Sequence, residues 1–469
     1  MRVFLVALCF MLGACKKGLD VTSPEVLLTD DKVFKNDTST LDVITGMYSG
    51  LINGGMPDGK NSVGVVMGLA ADELKDYYPD AVLSGAYTNN FSKANYYFWS
   101  QVYSWLYDCN AVIGSVPASV LSGAAELRRQ AVGEALFVRA FLMWYATELY
   151  GDVPLALTTD HAGNNTLRRS PQASVYDQIV ADLREARGLL GMGWLDGRGR
   201  VVDNRERPNR VAAMALLARV YLYREEWALA AAQADSVIGD GTGTGGGGAV
   251  VLEDSLNRVF LKGSAEAIWQ MEPGGAVGSN TMDARFFVDA TGSGPAVGTP
   301  VAMSDELAGA FEVGDGRRRN WVGQSVTSFG TYYYPYKYKD QGTAVATEYF
   351  MMLRLAEVYL VRAEARARLG DLAGASADVN RLRERAGLAG VGASSLGQML
   401  SAIAHERRVE LFTEWGDRWF DLKRTDSLDA VMGVVTPAKG GVWTSTDALL
   451  PIPQQEINLN PNLSQNPGY

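Results

Sequence analysis

Residues 350–369 read FMMLRLAEVYLVRAEARARL, and residues 211–223 read VAAMALLARVYLY. Both interleave alanine with large apolar residues over a length that predicts buried helices. They share Ala-x-Val-Tyr-Leu, at 218–222 and 356–360. Alanine in such positions lets a neighbouring helix approach closely. Each stretch is followed by a short break and a second helical pattern. Residues 227–238 follow Arg224-Glu225-Glu226, and residues 372–386 follow Gly370-Asp371, where glycine suits a helix end and aspartate a helix start. Such pairs are helical hairpins of tetratricopeptide size, about 34 residues. Residues 134–150, EALFVRAFLMWYATELY, have the same texture.

Unrelated sequence separates these copies, so a regular solenoid is not expected. Residues 239–347 are rich in Gly, Ser, Thr and Tyr, with short apolar runs at 267–271 and 332–338. That composition predicts loops, short strands and brief helices. A second loop-rich region, 53–95, separates a first helix at about 38–52 from an aromatic helix at 96–116. The expected fold is mainly α: tetratricopeptide-like helical hairpins form a scaffold, packed against an irregular loop-rich half with short strands.

The chain ends LLPIPQQEINLNPNLSQNPGY, residues 449–469. Pro451, Pro453, Pro461 and Pro467 remove backbone donors and fix φ, which excludes a helix and predicts an extended strap. Leu450, Ile452, Ile457, Leu459 and Leu463 are its expected apolar anchors. At the other end, Met1-Arg2 precedes a short apolar run at 3–12, too short to span a bilayer, and Leu12-Gly13-Ala14-Cys15 has the form of a lipoprotein cleavage site. The expected organisation is a signal peptide at 1–14, an N-terminal region at 15–238 and a C-terminal region at 239–469, in one compact fold.

Acid exceeds base, 53 against 43 residues, which argues against a nucleic-acid partner because phosphate binding draws on concentrated Lys and Arg. Arg317-Arg318-Arg319 reads as a solvated turn. Of three cysteines, Cys9 leaves with the signal and Cys15 takes the lipid. Cys109 then stands alone, a small buried hydrophobe on the aromatic helix. Glu406, Glu410 and Glu414 share a helical stripe that could suggest glycoside hydrolysis. Arg407, Arg408, Arg418 and Arg424 nevertheless supply enough guanidinium to pair them and keep them ionised. Gly243, Gly245 and Gly248 fit G-x-G-x-x-G but lie after a helix in a low-complexity run, the wrong context for dinucleotide binding. His161 and His405 are the only histidines, little material for a metal or nucleophile site; His405 reads as a surface residue. No cofactor or metal is expected, although Asp72, Glu73 and Asp76 leave a loop calcium site open.

The two terminal signatures, the block 406–411 with 418–424 (RWFDLKR), Tyr150-Gly151-Asp152-Val153-Pro154, the run 312–317 (EVGDGR), Lys337-Tyr338 and 354–360 (RLAEVYL) together resemble the SusD/RagB family of outer-membrane nutrient-binding lipoproteins. The resemblance covers nearly the whole mature chain. It implies a non-catalytic lipoprotein, acylated at Cys15 and exposed on the outer face of the outer membrane. It also implies a partner, a SusC-type TonB-dependent transporter, over which the protein acts as a lid that captures glycans or peptides. It does not carry over ligand residues.

Those are sought among loop aromatics, because a flat ring stacks on the C–H face of a sugar or on a peptide side chain while nearby amides bond hydroxyls. The candidates are Tyr77, Tyr78, Tyr87, Asn89 and Asn90 in the first excursion and Trp321, Gln324, Tyr332 and Tyr334 in the second. The alternative for 332–336 is a half-buried strand whose alternate rings pack inward. Two competing functions remain: a surface glycoside hydrolase, which needs a carboxylate pair outside the arginine-rich helices, and a tetratricopeptide scaffold for protein partners, which does not need the long excursions.

Overall fold

The computed structural model describes residues 37–53, 56–57, 59–95, 97–116, 125–240, 249–274, 279–342 and 344–469. The expected signal peptide at 1–14, Cys15 and the glycine run at 243–248 lie outside the described residues. Among those described, helices of eight or more residues are α1 (Asp37–Asn53), α2 (Val63–Ala70), α3 (Trp99–Ser115), α4 (Ala125–Tyr150), α5 (Gln172–Leu189), α6 (Arg210–Tyr223), α7 (Trp227–Asp240), α8 (Leu355–Arg368), α9 (Leu372–Arg385), α10 (Leu396–Leu411), α11 (Asp417–Arg424) and α12 (Leu428–Ala438). From α3 to α10 each helix packs on the one before it, so the array continues from α7 to α8 although the second excursion separates them in sequence. The mainly α fold with tetratricopeptide-like hairpins is the one observed.

The repeated motif shows how the array is joined. Ala218 and Ala356 are fully buried, and the variable residue of each copy, Arg219 on α6 and Glu357 on α8, meets the other in a bidentate pair at 2.5 and 2.6 Å. Two buried charges held this way are costly to separate, because removing either leaves the other unpaired in the core. At the α8–α9 turn Gly370 takes φ +90, and Asp371 accepts the Gly374 amide at 2.8 Å, as glycine and aspartate there imply.

The excursions contribute four two-stranded ladders. β1 (Leu74–Asp76) pairs with β5 (Val301–Met303), β2 (Trp194–Leu195) with β3 (Val201–Val202), β4 (Ala267–Met271) with β8 (Phe350–Arg354), and β6 (Val322–Thr327) with β7 (Gly330–Pro335), all antiparallel. The β4–β8 ladder is wholly buried and closes the second excursion at the point where β8 runs into α8. Its Trp269 ring lies edge-on to Phe137 at 5.0 Å and Phe141 at 5.2 Å, which fastens the excursion to α4.

The C-terminal strap is pinned as expected by Leu450, Ile452 and Leu463, all buried, whereas Leu459 is exposed. Its backbone joins the end of α4 and the loop that follows: the Leu450 amide donates to the Leu149 carbonyl at 2.7 Å, and Asn466 donates to the Tyr150 and Leu450 carbonyls at 3.0 and 2.8 Å. Two expectations fail. Residues 350–354, read as the start of a helix, form strand β8, where the run Phe-Met-Met-Leu-Arg pairs with β4 and the helix begins only at Leu355. A short helix, Gln454–Leu459, does form inside the strap. It begins directly after Pro453 and ends before Pro461, so no proline occupies its interior, and a residue without an amide donor is tolerated at a helix start.

Candidate functional site

Two places in the molecule concentrate chemistry, and they differ in kind. The first is a buried charge network around the end of α10. Glu406 pairs with Arg317 at 2.5 Å and Arg383 at 3.4 Å; Glu410 pairs with Arg317 at 3.0 Å, Arg354 at 2.6 Å and also with Arg385; Glu414 pairs with Lys337 at 2.5 Å and Arg354 at 2.7 Å. Burial alone would raise Glu410, but the guanidiniums of Arg385, Arg354 and Arg317 outweigh it and hold the carboxyl below the usual range. Such an acid stays ionised and does not serve as a proton donor.

The pairing is of the expected kind with different partners. Arg407 and Arg424 bind Asp421, and Arg408 and Arg418 bind Asp72, so none of the four neutralises the glutamate stripe. The stripe is met instead by Arg317, Lys337 and Arg354 from the excursion and by Arg383 and Arg385 on α9. Arg317 is therefore not part of a solvated turn: it is fully buried, with Asp315, Glu406 and Glu410 around it. Asp72, named as a possible calcium ligand, is occupied by its two arginines. Among the described residues no group of three or more His, Cys, Asp or Glu is placed to hold a metal.

Cys109 is buried, its sulfur 3.5 Å from that of Met47, and burial pushes the thiol well above its usual range. His405 is partly exposed beside Glu312.

The second place is where the two excursions meet. The β1–β5 ladder continues through the Tyr77 amide, which donates to the Pro300 carbonyl at 2.9 Å. It carries Tyr77 onto Tyr332, edge to face at 5.3 Å. Lys75 stands 5.4 Å from the Tyr77 ring centre. Partial burial would lower this lysine, but Tyr77 and Asp305 outweigh it and raise it. Tyr87 lies on the same side, next to Lys75 and Tyr77 and with the Lys439 ammonium 5.1 Å from its ring centre. Lys439 in turn donates to the Leu69 carbonyl at 2.7 Å, satisfying the end of α2.

Glycine makes room for both hairpin rings. A Cβ at Gly294, which has φ +82, would meet the Tyr332 ring at 3.0 Å, and one at Gly323 would meet the Tyr334 ring at 2.1 Å. Asp289 ties the loop to the hairpin, accepting Ser325 Oγ at 2.6 Å and the Gly294 amide at 2.7 Å. These bonds overcome its desolvation and lower its carboxyl to about 2.

The candidates thus separate. Tyr77, Tyr87, Tyr332 and Tyr334 are half-buried rings at this junction, and Tyr78 beside them is 45% exposed. Asn90 is exposed near Tyr87. Gln324 is exposed, but it pairs across the hairpin with Tyr333 while Tyr332 and Tyr334 pair with Ser325 and Gly323. Alternation along a strand therefore puts Gln324 on the opposite face from the two rings. Trp321 and Asn89 are not surface groups. Trp321 is fully buried, donating to the Leu256 carbonyl at 2.9 Å; Asn89 is buried and joins the Ala70 carbonyl to the Thr436 hydroxyl. Lys75 was missed, and its signal was its place two residues before Tyr77 on a strand, which puts both on one face.

The chain matches a family described as the SusD family over residues 322–469 and one described as starch-binding, associating with the outer membrane, over residues 37–222. It is 28% identical over 424 residues to SusD-like protein P2 of Formosa agariphila, covering 79% of this chain and 80% of that one. It is 33% identical over 129 residues to the starch-binding protein SusD of Bacteroides thetaiotaomicron, covering 25% of this chain and 21% of that one. Among solved structures it superimposes on a laminarin-binding SusD-like protein with a TM-score of 0.75 at 22% identity, over 93% of this chain and 100% of that one. The surface glycan-binding protein A of Bacteroides fluxus gives the same values. The chain belongs to the SusD family.

Proposed function

We propose that this protein is a non-catalytic glycan-capturing lipoprotein of the outer membrane, anchored through Cys15 and delivering its ligand to a SusC-like TonB-dependent transporter. The observation that carries the binding role is the junction at which Tyr77 from one excursion and Tyr332 from the other share an edge-to-face contact, with Tyr78, Tyr87 and Tyr334 around it. Partly exposed rings of this kind offer stacking faces to a sugar, and Lys75 and Asn90 supply donors to its hydroxyls. That the ligand is a glycan and not a peptide is supported by the starch-binding and laminarin-binding relatives.

A hydrolase reading is disfavoured because Glu410 and Glu414 are held ionised by buried cations. Among the described residues no helix is long and apolar enough to cross a membrane, which leaves the lipid on Cys15 as the proposed attachment.

Titration of the purified protein against a panel of polysaccharides, oligosaccharides and peptides tests the binding role. A glycan bound without release of reducing ends above a heat-killed control is the expected result; turnover lost on changing one carboxylate would make the protein an enzyme. In cells lacking the transporter, Cys15→Ala should leave a folded protein that no longer fractionates with the outer membrane. Unchanged fractionation would refute the anchor.

A further inference from the structure

A cleft of about 680 Å³ lies between α3, the loop after α4 and the C-terminal strap, and the junction described above contributes nothing to it. Three of its rings, Trp99, Tyr103 and Tyr107, recur every four residues along α3 and so share one helix face. Trp99 and Tyr103 are fixed, their ring centres 4.8 Å apart and the Tyr103 hydroxyl donating to the Pro154 carbonyl at 3.0 Å. Tyr107 is 44% exposed and, among the described residues, makes no side-chain hydrogen bond or ring contact.

The charged lining is one-sided. Asp108 and Glu456 both face the cleft among neutral amides, no lysine or arginine lines it, and His161, also in the lining, has its Nδ1 2.9 Å from the Asn165 amide nitrogen. Asp108 has no hydrogen bond or ion pair among the described residues, and burial alone raises its carboxyl. Glu456 is also raised by burial, which the neighbouring Trp99 offsets only in part. The nearby Arg169 is already committed to the carbonyls of Asp152, Tyr150 and Ser464 and to the Asn466 side chain. A partly desolvated carboxylate with no cation from its own chain is under-compensated, and a guest that brings the cation restores the balance. Tyrosine faces add attraction for an ammonium or guanidinium group. Leu459, exposed, and Leu463 give the cleft an apolar flank.

We propose that this cleft binds an organic cation, an ammonium or guanidinium group on a short stem, with Asp108 as its counter-ion and the Tyr107 ring beside it. The same chemistry is carried by a lysine side chain of a peptide and by a de-N-acetylated amino sugar. Whichever source supplies it, the site is separate from the aromatic junction and stands whether or not that junction binds glycan.

The test is calorimetric titration of the purified protein with tetralysine, fully deacetylated chitotetraose and neutral maltotetraose, on the wild type and on Asp108→Asn, Tyr107→Ala and Glu126→Gln, the last an exposed acid outside the cleft. At least one cationic probe should bind, and which one does so identifies the source. Its affinity should fall about tenfold in Asp108→Asn, the scale of a lost charge-assisted hydrogen bond, and about two- to fivefold in Tyr107→Ala, the scale of an exposed cation–π contact. Glu126→Gln should bind as the wild type does. Because Tyr107 is exposed, that variant carries the test if Asp108→Asn fails to fold. Absence of binding by both cationic probes overturns the proposal. So does equal weakening in all three variants, which would mean general attraction to an acidic protein, or maltotetraose binding that depends on Asp108 as strongly as the cationic probe does.

Discussion

Trp321 stands at the foot of β6 and Tyr332 in its partner strand β7, in one Gly- and Tyr-rich excursion, yet the two rings answer to opposite demands. Trp321 is fully buried, its indole bonded to a backbone carbonyl and its faces near Lys337 at 5.2 Å and Arg354 at 5.9 Å. It forms the lid of the charge network. Tyr332 is half-buried, and a close ring neighbour, Tyr77, arrives from the other excursion. An aromatic residue in a loop-rich stretch is therefore a keystone where it covers converging charges, and a surface ring where two excursions merely meet.

The network side of this comparison should break hardest. Glu410→Ala takes one carboxylate from each of Arg317, Arg354 and Arg385, which keep Asp315 and Glu406, Glu266 and Glu414, and Glu266 respectively; breaking a buried ion pair outright costs about 3–5 kcal/mol. Urea unfolding should show a loss approaching that figure, reduced by the acids that remain. A change below about 1 kcal/mol would mean that the network does not hold the excursion on α10.

Between the two regions sits Glu73, one residue before β1, its carboxylate accepting the Thr413 amide at 3.2 Å beyond the end of α10. Burial pushes it up to about 7, well above the value of about 4.3 expected in the unfolded chain. Below about pH 4 both states are protonated and the group has no effect on stability. From there to pH 7 the folded state keeps a proton that the unfolded state has released, so stability falls as pH rises; above pH 7 the whole cost of the buried charge is present. Glu73→Gln should thus be more stable than the wild type at about pH 8, by an advantage that shrinks to nothing near pH 4. Parallel stability curves for the two proteins would show that Glu73 titrates as an ordinary exposed acid.

Much of the scaffold was legible because it is local. Alanine interleaved with large apolar residues set the helices, and Gly370-Asp371 set the turn between α8 and α9. The opposite charges at the variable position of Ala-x-Val-Tyr-Leu were also in plain view, although their pairing across 138 positions of sequence was not. The network was hidden for the same reason: Arg317, Lys337 and Arg354 lie far from Glu410 along the chain, so the nearest arginines looked like its partners. Proline spacing overstated the rigidity of the strap, since the six residues from Gln454 to Leu459 sufficed for a helix between two prolines. At the candidate site, composition found the tyrosines but could not separate Tyr332 from Trp321, because burial there depends on what the second excursion folds against.

The central claim is that ligand contact runs through the half-buried member of that pair and stability through the fully buried one. Its most direct test is a paired measurement, titration with a glycan the wild type binds and thermal unfolding, on Tyr332→Ala and Trp321→Ala. Tyr332→Ala should lose about 1–3 kcal/mol of affinity, by analogy with base stacking on aromatics, and melt close to the wild type, whereas Trp321→Ala should lose about 3–5 kcal/mol of stability. If Tyr332→Ala binds as tightly as the wild type while melting earlier, the ring belongs to the core and the aromatic junction is not the ligand site.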